Sequence, residues 1–310
     1  MEKDIKQKVI KNMENNKCLL IFYSGTGNTK YLTDKLKIKL EVEGFEVDVY
    51  RINPLKLETL DLSNYSLIGI GYPIYGFNLP GIVHKFFKKQ KFIKGQRVFV
   101  YKDSGETYSA NDSSSLALKH ILKRQKTNFT NEYHFVMPYN IHFRFEENLV
   151  KEMLDMDEKL MAILVKEIKD NIPNVKKYKF INNLINYPLR LTYIGGNINV
   201  LFYKVDTNKC IKCGLCIKGC QTNNIYFDKD GKVKFHHKCI MCMSCTLNCP
   251  KDAIRMGLFN SWRVNKPYNF EEIEKIELKE PIISENTTGF FKCYKKTFKD
   301  IENRYNELFK

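Results

Sequence analysis

The chain of 310 residues has no apolar run that reaches the roughly 18 to 20 residues a membrane span requires. Its most apolar late stretch, Leu189 to Val205, is broken by Arg190, Gly195, Gly196, Asn197 and Asn199. Met1 to Lys17 alternates charges and lacks an apolar h-region, so no signal peptide is expected there. Acidic residues are scarce: 35 Asp plus Glu face 51 Lys plus Arg, a formal net charge of +16. Such a balance suits nucleic acid, an anionic membrane or an acidic protein. No Lys/Arg run with interleaved aromatics is present, which argues against nucleic acid. An acidic protein partner is the preferred explanation. Outside one short stretch cysteine is nearly absent, with only Cys18 and Cys293. A disulfide framework suits a short secreted chain, and this chain is neither short nor visibly secreted. A cytoplasmic location, where thiols stay reduced, is expected.

The other eight cysteines form one repeat. Cys210-x2-Cys213-x2-Cys216-x3-Cys220 is answered, after an Asp-Gly turn, by Cys239-x2-Cys242-x2-Cys245-x3-Cys249-Pro250. Ile225 and Ile254 hold the same place after their runs, so two copies of one supersecondary unit are expected. This is the spacing of the bacterial two-cluster iron–sulfur run. Three thiolates in a tight loop grip one face of a [4Fe–4S] cube, and the x3 spacer carries the fourth away to the other half. One cluster is therefore assigned to Cys210, Cys213, Cys216 and Cys249, and the second to Cys239, Cys242, Cys245 and Cys220. Structural zinc, which prefers two separated Cys pairs, is the weaker reading. Residues 206–256 resemble the two-cluster bacterial ferredoxins, a small α+β domain. One departure stands out: the first run closes Cys220-Gln221, where the family has Cys-Pro. Each loaded cluster is a net anion, so the loaded protein is less basic than its sequence.

Nearer the N-terminus, Cys18 to Tyr23 is a short apolar run that suits a parallel strand buried on both faces. It leads into Ser24-Gly25-Thr26-Gly27-Asn28-Thr29, with a helix expected from about Asn28 to Glu43. Glycines with hydroxyls and free N–H groups at a helix start make an anion site. A P-loop is absent, since the GK[ST] ending is missing. A dinucleotide fingerprint lacks its third glycine at Lys30, although Asp48 keeps that alternative open. The loop matches the [ST]-x-T-G-x-T phosphate loop of flavodoxins, so residues 18–171 resemble a flavodoxin-like domain. Further strands are expected at Phe45 to Tyr50, Ser66 to Gly71, Gln96 to Tyr101 and Tyr133 to Met137. Helices are expected at Gly81 to Lys89, about Asp112 to Lys126 and Glu147 to Asn171. Strands alternating with helices indicate a parallel α/β sheet. The resemblance implies a doubly wound five-stranded sheet of order 2-1-3-4-5 with FMN at the carboxyl ends of strands one and three.

By position, the resemblance gives Ser24, Thr26, Gly27, Asn28 and Thr29 to the FMN phosphate. It sets Pro73, Ile74, Tyr75 and Gly76 along the flavin ring, with Tyr75 stacking on it. Asp103, Ser104 and Gly105 line the other side, with Tyr108 a second aromatic. Tyr75 as an ordinary loop aromatic is the alternative. His142 and Arg144 read as a solvated loop, with a flavin-facing role as the alternative. His236 and His237 read as polar surroundings of a cluster. The remaining stretches divide into a charged leader at 1–17, a linker at 172–205 and a tail at 257–310 in which no chemistry is expected. This layout resembles the flavodoxin–ferredoxin fusion proteins of anaerobic bacteria. It implies an electron-transfer protein passing electrons between two [4Fe–4S] clusters, FMN and an external redox partner. An FMN-dependent reductase of a small organic acceptor is the alternative.

Overall fold

The computed structural model describes residues 16–176 and 192–310. Most of the expected leader and much of the expected linker lie outside the described residues. The first unit runs β1 (Lys17–Phe22), α1 (Asn28–Val42), β2 (Glu46–Arg51), β3 (Leu67–Pro73), α2 (Gly81–Lys89), β4 (Arg97–Ser104), α3 (Leu116–Arg124), β5 (Asn128–Val136) and α4 (Glu147–Lys169). All strand pairs are parallel, in the order β2-β1-β3-β4-β5. This is the flavodoxin-like doubly wound sheet. Successive side chains of a strand point to opposite faces. Cys18, Leu20 and Phe22 therefore pack in the layer of α1 and α4, while Leu19, Ile21 and Tyr23 pack in the layer of α2 and α3. Burial on both faces explains the unbroken apolar run.

Two boundaries differ most from expectation. The helix expected from Asp112 opens as a 3-10 turn over Ser109–Ser115, and α3 proper starts at Leu116. The serines and Asp112 in that stretch offer the backbone side-chain partners that compete with α-helix. Strand β5 starts earlier than expected, at Asn128, because its polar first half still pairs with β4 and bonds Asn174.

The second unit holds α5 (Thr192–Asn199), β6 (Tyr203–Val205), α6 (Leu215–Lys218), β7 (Ile225–Phe227), β8 (Val233–Phe235), α7 (Ser244–Leu247) and β9 (Ile254–Met256). Its strands pair antiparallel, β6 with β9 and β7 with β8. The sequence repeat is also a conformational repeat. Lys212 and Met241, Gly214 and Met243, and Asn223 and Asp252 all adopt positive φ at matching points of the two halves. Met243 at φ 64° bears a strain that Gly214 escapes, of order 1 kcal/mol.

The chain then returns to the first unit through α8 (Phe270–Ile273) and α9 (Lys292–Phe309). Tyr294, Phe298 and Ile301 of α9 are buried in the layer of α1 and α4. Arg304 reaches the buried Glu167 at 2.8 and 2.7 Å, and the Tyr133 hydroxyl donates to the same carboxylate at 2.6 Å. The stretch expected as a tail thus packs against the sheet's own helices. Among the described residues, no helix is long and apolar enough to cross a membrane.

Candidate functional site

The carboxyl end of β1 opens into the glycine loop. Ser24 is buried, and its Oγ accepts the Gly27 N–H at 3.1 Å. Gly27, at φ 121°, is the N-cap of α1, and no side chain caps that helix. A Cβ at Gly27 would meet nothing within 4 Å, so the space before the helix is open. Uncapped first-turn N–H groups facing open space suit a phosphate. The side chains of the loop point elsewhere. Thr29 donates to Asp103 Oδ1 at 2.5 Å, Asn28 donates to the Pro138 carbonyl at 2.9 Å, and Asn140 donates to Thr26 Oγ1. The anion site left by these bonds is a backbone site.

At the end of β3 a tight turn is fixed by mutual backbone bonds between Tyr75 and Asn78 at 3.0 Å. Pro73 lies in register with Asp103, and Ile74 N–H donates to the Asp103 carbonyl at 2.8 Å. Gly76 and Phe77, at φ 53° and 61°, make the turn itself. The Tyr75 ring meets Tyr23 edge-on, 6.4 Å between centroids. Burial raises the Tyr75 hydroxyl well above its ordinary pKa. At the end of β4, burial pushes the Asp103 carboxyl up to about 7 despite its bond from Thr29. Ser104 is engaged in holding its own loop, donating to the Glu106 carbonyl at 2.7 Å beside His134 Nε2 at 2.8 Å. Burial holds His134 neutral, well below the usual histidine range.

Gly105 is covered by an aromatic the sequence did not single out. A Cβ there would lie 2.0 Å from the Tyr139 ring. Tyr139 packs with Phe145 and Phe290, and Tyr294 donates its hydroxyl to the Gly105 carbonyl. Tyr108 is instead partly exposed and touches Phe290. His142, at φ 70°, packs between Tyr139 and Trp262, while Arg144 pairs with Glu147 and covers Tyr268.

Two cysteine-lined cavities complete the site. The first is bordered by Cys210, Cys213, Cys216 and Cys249, and the second by Cys220, Cys239, Cys242 and Cys245. The last thiol of each half faces the other half's cavity. Among the described residues, no three His, Cys, Asp or Glu side chains are arranged to hold a single metal ion. The thiols surround a space, which fits a multi-atom cluster better than one zinc. Burial pushes the Cys216 thiol up to about 11 and Cys242 up to about 12. Such thiols ionise only with a cation to meet them, so loading iron must release protons. Backbone N–H groups are already aimed at the sulfurs: Asn224 at Cys220 (3.2 Å) and, at the matching point of the repeat, Ala253 at Cys249 (3.3 Å). His236 stacks on Tyr226 with 4.3 Å between ring centroids.

The second cavity abuts the glycine loop. A Cβ at Gly25 would lie 2.4 Å from the Tyr75 hydroxyl and 2.8 Å from Cys242 Cβ. Gln221 Nε2 donates to the Ser24 and Gly25 carbonyls at 2.7 and 3.2 Å. Ile240 packs against the α2/α3 layer.

Residues 19–127 match the family model of a flavodoxin domain, and residues 209–254 that of a 4Fe-4S dicluster domain. No curated protein matches the chain. Solved structures similar to part of this chain include the flavodoxin of Streptococcus pneumoniae TIGR4, 19% identical, covering 47% of this chain and 98% of that one, TM-score 0.34. Oxidised flavodoxin 2 of Bacillus cereus is 20% identical over 39% of this chain and 85% of that one, TM-score 0.33. General stress protein 14 of Treponema denticola, in complex with FMN, is 11% identical over 49% and 99%, TM-score 0.37. The first family match implies FMN and the second iron–sulfur clusters. With one match falling on the parallel sheet and the other on the cysteine repeat, the chain is a fusion of an N-terminal flavodoxin domain with a C-terminal ferredoxin-like domain.

Proposed function

We propose that this protein carries one FMN and two [4Fe–4S] clusters and passes electrons between them and an external carrier. When bound, FMN handles electrons singly or in pairs and each cube handles one at a time, so the combination converts one currency into the other. Cys210, Cys213, Cys216 and Cys249 would hold the first cluster, and Cys239, Cys242, Cys245 and Cys220 the second. The loop Ser24, Thr26, Gly27, Asn28 and Thr29 would hold the FMN phosphate through backbone N–H groups, because Thr29 and Asn28 spend their side chains on Asp103 and Pro138. Pro73 to Gly76 would border the flavin on one side, and Asp103, Ser104 and Gly105, with Tyr139 over Gly105, on the other. The observation that carries this reading is the close approach of Cys242 and of Tyr75 to Gly25, which supports a cluster beside the flavin loop.

The first cavity is the outward one. Cys213 is exposed, and so are Ile211, Leu215, Lys209, Lys212 and Lys251 around it. An apolar centre ringed by lysines supports docking of an acidic one-electron carrier at this face. The cytoplasm, where thiols stay reduced, suits such a protein. The test is flash reduction of the loaded protein by a viologen radical. Cluster absorbance should bleach first, and flavin absorbance should then fall in a phase whose rate is independent of protein concentration. Flavin reduction only in a concentration-dependent phase would overturn the reading.

A further inference from the structure

Gln221 stands where the two-cluster pattern has proline. Its side chain crosses to the other domain and gives its amide to two consecutive carbonyls of the flavin loop, Ser24 at 2.7 Å and Gly25 at 3.2 Å. Proline has no side-chain donor, so the usual residue makes neither bond. The residue before it, Cys220, borders the second cavity, and Cys242, in the second cysteine loop lining the same cavity, lies against Gly25. Gln221 and Cys242 thus both meet the loop from the rim of one cavity, and the amide ties that rim to the loop backbone.

We infer that Gln221 is a positioning residue: a latch that fixes the second cluster's cavity on the flavin loop, so that electrons cross a constant gap. The inference rests on the reading proposed above and names the part of the chain that sets the distance. In the step concerned, one electron would pass to FMN from the cluster that Cys220, Cys239, Cys242 and Cys245 would hold, and an external one-electron carrier would replace it. The two carbonyls at this part-buried junction accept from a donor of this reach, neutral or charged. Nothing else in the first cysteine run reaches the loop by a side-chain hydrogen bond among the described residues.

Gln221→Met keeps the length and removes the donor. In the loaded protein it should slow the concentration-independent phase roughly tenfold, as expected for two lost neutral hydrogen bonds. Iron, sulfide and flavin contents and all midpoint potentials should stay as in the wild type. Gln221→Lys, which retains a donor of similar reach, should keep most of the rate. A second readout needs no flavin: with clusters intact and FMN removed, amide exchange over residues 24–29 should quicken in Q221M and stay slow in Q221K. A wild-type rate with unchanged loop exchange in Q221M would overturn the latch, as would a tenfold slowing in Q221K. Absence of the phase from the wild type would instead remove the proposed function itself.

Discussion

A methyl group at Gly25 would press on the Tyr75 hydroxyl and on Cys242 at once. Tyr75 is held by its turn and Cys242 by its cluster loop, so neither yields easily. Gly25→Ala should therefore push the second cavity off the flavin loop and slow flavin reduction by the clusters, and rapid kinetics against the wild type checks this. Its flavin affinity should fall less, because the open space for the phosphate lies at Gly27 instead. Asp103 gives a pH prediction. Burial raises its folded pKa to about 7 from 3.8, so the folded state keeps a proton that the unfolded chain has lost. Stability from this group is full below about pH 4 and falls as pH rises towards 7, by about 4 kcal/mol in the flavin-free protein. Asp103→Asn should flatten that decline, and urea titrations from pH 4.5 to about 7.5 read the difference. Cys249→Ser should halve the iron and sulfide content while the second cavity, which lacks Cys249, stays loaded.

Helix α9 is the element whose importance the sequence hid. Its apolar stripe completes the layer over α4, and its Arg304 is the cationic partner of the buried Glu167. Arg304→Ala leaves that carboxylate beside Tyr133 without a counter-charge and should cost about 1–3 kcal/mol, read by thermal unfolding. Truncation of the chain before Lys292 should cost more, since Tyr294, Phe298 and Ile301 are lost together. The strands and the grouping of the cysteines about two cavities were legible because their signals are local, an apolar run and a spacing of two and three residues, while the strand order followed from the resemblance carried by the glycine loop. Tyr139, Gln221 and Tyr294 were not, because their partners are remote in sequence. Gln221 meets Ser24 across 197 positions and Tyr294 meets Gly105 across 189, and no local pattern encodes such pairs. The same holds for Thr29, whose place in the glycine loop pointed to phosphate although its hydroxyl goes to Asp103.

Over the whole molecule, the ferredoxin-like domain meets two loops of the flavodoxin domain among the described residues. Gln221 and Cys242 meet the loop after β1, and the returning chain meets the loop after β5, where His142 N–H donates to the Trp262 carbonyl at 2.8 Å. These contacts leave one cavity turned inward and the other, at the exposed Cys213, turned to solvent. An acidic carrier using that face should associate ever more slowly as salt rises towards 0.5 M, and Lys212→Glu with Lys251→Glu should reproduce much of that loss at low salt. The most direct measurement is a count of iron, acid-labile sulfide and flavin in protein purified without oxygen. The expected result is about eight iron, about eight sulfide and about one FMN per chain, from two cubes and one flavin. Colourless protein, or zinc in place of iron, would contradict it.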